Sequence, residues 1–293
     1  MRKLIALAAF VTLLILAGLW WSGGFAALAH WAAGQQRGFQ NTIAGGLRAT
    51  RGGDAAALWT VLLASFAYGV VHAAGPGHGK IVIGGYGLAR AVPMLRLSLI
   101  ALAASLGQAV TAVALVYAGI MIMGLGREAL VGVTEGIMAP ASYGAIVLIG
   151  LWLIWRGIRH ARAGKHETTG GVCGHCGHAH GPSVEQVQQA GNLRDALLLI
   201  GGIAIRPCTG ALFVLVITWH MGIGWVGVIG AFAMALGTGL ITIATGLAAT
   251  GLRAGVLGGL AGSPRLAQAA AVAELTAGMI VVTLAGGLLL RAL

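Results

Sequence analysis

A chain of 293 residues with 58% hydrophobic and only 9% charged residues is not a water-soluble domain, in which about a quarter of residues are charged. A mean hydropathy of +0.91 and several long apolar runs make it a polytopic helical membrane protein, one compact bundle rather than two domains. The net charge of +11 does not point to nucleic acid, because the basic residues stand at the ends of apolar runs, where they set membrane topology.

In chain order the apolar spans fall at 4–21, 56–74, 97–123, 140–156, 196–217, 225–250 and 267–290, an all-α arrangement of about seven transmembrane helices. The first span follows Arg2-Lys3, and Gly18-Leu-Trp-Trp-Ser-Gly-Gly24 offers only a weak cleavage site, so residues 1–21 are expected to be an uncleaved signal anchor. If the N-terminus is cytoplasmic, twelve of the 18 Lys and Arg residues fall inside and five outside, with Arg206 inside a span. Residues 22–55 are then extracytoplasmic. Their Gly, Gln and Arg content, with Trp20, Trp21 and Trp31, suggests an interfacial helix.

The second span closes on His72-Ala-Ala-Gly-Pro-Gly-His-Gly-Lys80. Irregular backbone at membrane depth is tolerated where it is buried in protein or lines a cavity. The Gly75-Pro76-Gly77 break would free carbonyls and let the His72 and His78 rings turn to one point, and imidazole is the commonest ligand of divalent transition metals. Lys80 has no lone pair to donate as an ammonium, so it is expected to be an interfacial anchor. The residues between this span and the next are assigned to the cytoplasmic side.

A hydrophilic stretch at 157–195 follows the fourth span. It contains Cys173-Gly-His-Cys-Gly-His-Ala-His180, in which Cys173, His175, Cys176, His178 and His180 are soft or borderline ligands suited to zinc, nickel, cobalt or copper. Its glycines suggest a tract that gathers or senses metal and is not the translocation site itself.

The fifth span carries a second break, Gly201-Gly-Ile-Ala-Ile-Arg-Pro-Cys-Thr-Gly210. An arginine within a span is costly and is a functional hypothesis by default. Arg206 is expected either to take part in transport, to snorkel, or to pair with Asp195 or Glu274, and Cys208 to be a thiolate ligand or a small packed hydrophobe. The two broken helices open matching sets of three spans, 56–156 and 196–293. An odd number per set makes the repeat inverted, with the site at the repeat interface.

His72-Ala-Ala-Gly-Pro-Gly-His-Gly-Lys80 resembles the signature of the NicO-type nickel/cobalt transporter family. Arg206-Pro-Cys-Thr-Gly-Ala-Leu, followed by Phe232-Ala-Met-Ala-Leu-Gly-Thr238, resembles the second-half motif of its proteobacterial members. A His-rich loop between the halves is also usual there. The resemblance covers roughly 56–290. It implies an inner-membrane secondary transporter of divalent cations, energised by an ion gradient. Some members export nickel and cobalt, and others look like zinc importers. Gly77 stands where the better-known nickel permeases carry an acidic residue, so their selectivity is not carried over.

The reading is therefore a carrier and not an enzyme, with no permanently bound cofactor. Its cargo is Ni2+ or Co2+, with uptake of Zn2+ or Ni2+ as the alternative, and efflux coupled to protons is the favoured direction. Its partners are the cation, the lipid bilayer and a candidate periplasmic metal-binding protein. Protonation of His72 and His78 would release metal, since imidazolium cannot bind it. Glu274 is the next acidic group for a proton path, or the neutraliser of Arg206. A thiol–disulfide carrier would need two cysteines meeting in the membrane, and only Cys208 is there. A metal sensor would need an output domain, and no nucleotide-binding loop supports ATP-driven transport.

Overall fold

The computed structural model describes residue 18 and residues 22–74, 78–124, 126–163, 193–258 and 266–293; the expected first span, apart from residue 18, and the Cys173–His180 tract lie outside them. Among the described residues every regular element is a helix. Five helices are long and apolar enough to cross a membrane, at Ala57–Ala74, Met94–Ile122, Glu128–Arg159, Gly224–Val256 and Ala269–Leu290. A sixth crossing is made if Leu193–Ala204 and Thr209–His220, bent by 59° at a short break, form one span. These overlap the second to seventh expected spans.

Local chemistry sets the ends of the helices. Helix α1 (Gly24–Arg51) stops at Gly52, and Asp54 then accepts hydrogen bonds from the Ala56 and Ala57 N–H groups at 2.9 and 3.3 Å, capping α2 (Ala57–Ala74). Helix α3 (His78–Ala89) follows, and Pro93 precedes the 30-residue α4 (Met94–Met123). Gly124, at φ 60°, ends α4 by donating its N–H back to the last turn. Next come α5 (Arg127–Val133), a π-helical turn over Thr134–Met138, and α6 (Ala139–Ala163). After the stretch outside the described residues come α7 (Leu193–Ala204), α8 (Thr209–His220), α9 (Gly224–Gly258) and α10 (Leu266–Ala292).

The packing interleaves the two sides of the chain. Helix α9 lies against α2 and α3, α4 against α7 and α8, and α6 against α10. Glycine makes the closest approach possible: a Cβ at Gly69 of α2 would run into the Met234 carbonyl of α9, and one at Gly237 of α9 into the Phe66 carbonyl of α2. Backbone contact through small residues is the main way helices hold together without a hydrophobic drive from water. At one end of the bundle, ion pairs join early and late segments: Arg90 pairs with Asp195, and Arg156 with Glu274 at 3.2 Å.

Two segments carry packing that the sequence reading did not give. The residues after His78, which the sequence reading gave no helix, form α3, in which Val82, Ile83 and Tyr86 are buried against α9 and α10. The stretch is short and carries a lysine, so length and hydropathy alone did not mark it as packed. The segment expected to be an interfacial helix is helical: it forms α1, which runs antiparallel along α2. Gly46 of α1 sits against Ala57 and Val61, and Gln36 reaches His72 at the far end of α2.

Candidate metal site in the bundle

The site lies where two helix breaks meet. Helix α2 ends at Ala74 and α3 begins at His78; α7 ends at Ala204 and α8 begins at Thr209. Pro207 has no N–H to continue α7 and disfavours helical backbone at the residue before it. A cavity of about 240 Å³ opens between the breaks. Its lining includes His72 and Lys80 from the first, and Arg206, Cys208 and Thr209 from the second. Ser105 and Gln108, in the middle of the 30-residue α4, also line it, which puts the cavity near half-depth in the bundle.

A helix broken inside a membrane protein leaves carbonyls that water cannot satisfy. Here side chains from neighbouring helices receive them. Ser142 Oγ of α6 donates to the Gly202 carbonyl at 2.7 Å, and Gln108 Nε2 of α4 donates to the Ile203 carbonyl at 3.2 Å. At the other break Lys80 Nζ donates to the Ala74 carbonyl at 3.1 Å. Lys80, expected from the sequence to be an interfacial anchor, thus has a hydrogen-bonding role at the break as well. It belongs to a buried helix and caps a break. Thr238 Oγ1, at the end of the second-half motif, donates to the Gly69 carbonyl at 3.4 Å and ties α9 to α2 beside the cavity.

His72 and Cys208 are 136 positions apart in the numbering and hydrogen-bonded to each other in the fold. Cys208 is a free thiol at the cap of α8, and the backbone N–H groups of Gly210 and Ala211 also point at its sulfur. Thiolate is the metal-binding form of cysteine, and donors at a helix N-terminus are natural partners for a negative sulfur. The His72 ring stacks on Tyr68 with centroids 5.9 Å apart and planes 11° apart, and its Nδ1 lies 3.2 Å from Gln36 Oε1. An imidazole plus a sulfur is a borderline-soft pair suited to late divalent transition metals. Among the described residues no three His, Cys, Asp or Glu side chains converge. The His78 side chain and the tract Cys173, His175, Cys176, His178 and His180 lie outside the description.

Arg206 corrects two expectations. It pairs with neither Asp195 nor Glu274. Its Nη2 donates to Glu135 Oε2 at 2.8 Å, its Nη1 donates to the Tyr143 hydroxyl, and its guanidinium lies over the Tyr143 ring, 5.0 Å from the centroid. Asp195 is held by Arg90. Glu274 is buried beside Arg156 and does not line the cavity, so it cannot neutralise Arg206. The sequence reading missed Glu135 because it sits outside the apolar runs. The structure places it in the π-helical turn, a deformation frequent at functional sites.

The Glu135–Arg206 pair carries a prediction. A bare guanidinium beside a cavity that admits a dication would repel it. Two unit charges 4 Å apart interact by about 4 kcal/mol at an effective dielectric of 20 but only about 1 kcal/mol in bulk water, and a half-exposed group lies toward the second value. The Glu135 side chain is 44% exposed, so losing the pair should cost little stability, in line with surface pairs worth about 0–1 kcal/mol. Glu135→Gln is therefore expected to weaken cation binding on the order of tenfold with an almost unchanged melting temperature. Metal titration and thermal unfolding of the same preparation check both halves of this expectation.

Residues 58–169 match the model of the NicO family, described as "High-affinity nickel-transport protein". A curated relative from Haemophilus influenzae, provisionally named a nickel/cobalt efflux system, is 29% identical over 259 residues, covering 81% of this chain and 78% of the relative. No solved structure matches the chain.

Proposed function

We propose, for a multi-pass membrane protein whose residues 58–169 belong to the NicO nickel-transport family, that it is a secondary transporter carrying nickel or cobalt out of the cell in exchange for protons. The observation that carries this reading is the cavity in which two broken helices bring His72 and Cys208 together. The relative's name, a nickel/cobalt efflux system, supports the cargo and the direction.

The chemistry of the cycle follows from the ligands. Neutral imidazole offers a lone pair and imidazolium does not, so a proton reaching His72 displaces a bound cation. The same logic holds for His78 as a second imidazole ligand from the opposite side of the first break. The cation then leaves on the side to which the cavity is open. Interleaved packing of α4 on α7 and α8, and of α9 on α2 and α3, supports an inverted 3+3 arrangement in which one set rocks against the other around a fixed site. The N-terminus is cytoplasmic in this reading. The Cys173–His180 tract then lies on the cytoplasmic side and concentrates metal near the entrance.

One observation favours a second cargo. A histidine paired with a cysteine is also a zinc donor set, which keeps zinc uptake by the same fold as the alternative. Both readings meet one experiment. The full chain is reconstituted in lipid vesicles, and Ni2+, Co2+ and Zn2+ fluxes are followed with and without an imposed proton gradient. The proposal expects nickel and cobalt to move, faster against an opposing proton gradient. Flux of zinc alone would favour the alternative, and flux indifferent to the gradient would remove proton coupling.

A further inference from the structure

We propose that Gln36, on the polar helix α1, is a positioning residue of the cation site: it holds His72 by Nδ1 so that Nε2 presents its lone pair to the cavity. This rests on the reading that His72 is a ligand. It goes beyond the family match, which begins at residue 58 and leaves α1 out.

Three observations lead there. First, Gln36 Oε1 lies 3.2 Å from His72 Nδ1, and the two are 36 residues apart. A carboxamide oxygen can only accept, so the contact is a hydrogen bond when Nδ1 carries the hydrogen. A neutral imidazole protonated on Nδ1 has its lone pair on Nε2. Metal-binding histidines almost always donate their other N–H to such an acceptor, which fixes both tautomer and ring orientation.

Second, the next turn of α1 repeats the arrangement. Gln40 hydrogen-bonds the Tyr68 hydroxyl, and Tyr68 stacks on the His72 ring. Gln36 and Gln40 are four residues apart and therefore on one helix face. One face of α1 thus fixes the ring edge through Gln36 and the ring plane through the residue that Gln40 holds.

Third, the geometry of α1 suits such a role. It runs along α2 with Ile43 and Leu47 fully buried and Gly46 against Val61, so Gln36 is delivered by a rigid packed helix rather than by a loop. Glutamine is costly to place against an apolar span unless its amide has partners. His72 supplies one.

The test uses the full chain with Cys173→Ser and Cys176→Ser, so that Cys208 is its sole thiol. Co2+ is the probe, and the sulfur-to-cobalt charge-transfer absorption reports metal at Cys208. Titration gives the affinity, and the four variants to compare are Gln36→Ala, Gln36→Leu, Gln36→Glu and His72→Ala. Gln36→Leu keeps the bulk that packs α1 on α2 and removes only the acceptor. Gln36→Glu restores an acceptor for the Nδ1–H. The expected result is that Ala and Leu bind Co2+ about 10–100-fold more weakly, while Glu binds at least as tightly as the parent. A purely structural role would instead make Glu, a charge against an apolar helix, the worst of the three. Wild-type affinity in Gln36→Leu, or Glu as weak as Leu in folded protein, would overturn the proposal. If His72→Ala also keeps the parent's affinity and absorption, the ligand assignment of His72 fails first, and the positioning role falls with it.

Discussion

Replacing His72 with alanine should abolish transport while leaving the protein in the membrane at its normal level. The ring is half-buried at the end of α2 and contacts Tyr68, Gln36 and Cys208, so its loss costs some packing. That cost is limited, because the site is a cavity and the backbone around it is capped by other residues, namely Ser142, Gln108 and Lys80. The loss of binding is larger. Even an outer-shell change at a metal site typically costs 10–100-fold in affinity, and removing a direct ligand from a site with few donors should exceed that. Cys208→Ser is expected to behave similarly, since a hydroxyl is a harder and weaker donor for late transition metals. Vesicle flux with each variant, normalised to protein in the membrane, checks the pair. Wild-type flux in His72→Ala would remove the histidine from the pathway.

The second large effect concerns the fold rather than the ligands. Gly237→Leu should prevent recovery of folded protein. A Cβ at this position meets the Phe66 carbonyl, and the Val70 amide nitrogen lies 3.0 Å away, so the new atom strikes backbone and not a side chain that could turn aside. Overpacking a core by a few methylenes costs about 1–3 kcal/mol when side chains can adjust. Here the helices α2 and α9 must separate, and their contact also carries the Thr238–Gly69 hydrogen bond beside the cavity. The mirror change Gly69→Leu, against the Met234 carbonyl, should act alike. Gly251→Leu serves as the control, because nothing lies within 4 Å of a Cβ there. Size-exclusion profiles and thermal unfolding in detergent distinguish them. Normal folding of Gly237→Leu would mean that α2 and α9 are farther apart than described.

Much of this site was legible in the sequence because glycine and proline inside apolar runs have few structural excuses. The two breaks, at Gly75-Pro76-Gly77 and around Pro207, marked the segments that supply His72 and Cys208. The partners of those residues were not legible. Gln36 meets His72 across 36 residues and Glu135 meets Arg206 across 71, and no local pattern encodes which long-range pair forms. The sequence offered Asp195 and Glu274 to Arg206, and proximity in the fold selected neither of them but Glu135 in the π-helical turn. The polarity of α1 is visible in the sequence, while the face it packs on α2 is not. Helix α3 was not expected because twelve residues with a lysine are too short to register as a span, although Val82, Ile83 and Tyr86 are buried.

The measurement that bears most directly on the central claim is the position of the metal itself. Diffraction from crystals of the full chain soaked with Ni2+, collected at the nickel absorption edge, yields an anomalous peak wherever the cation is held. The account predicts a peak in the cavity between the α2–α3 and α7–α8 breaks, within bonding distance of His72 and Cys208. Peaks confined to the Cys173–His180 tract, with the cavity empty at saturating nickel, would contradict it.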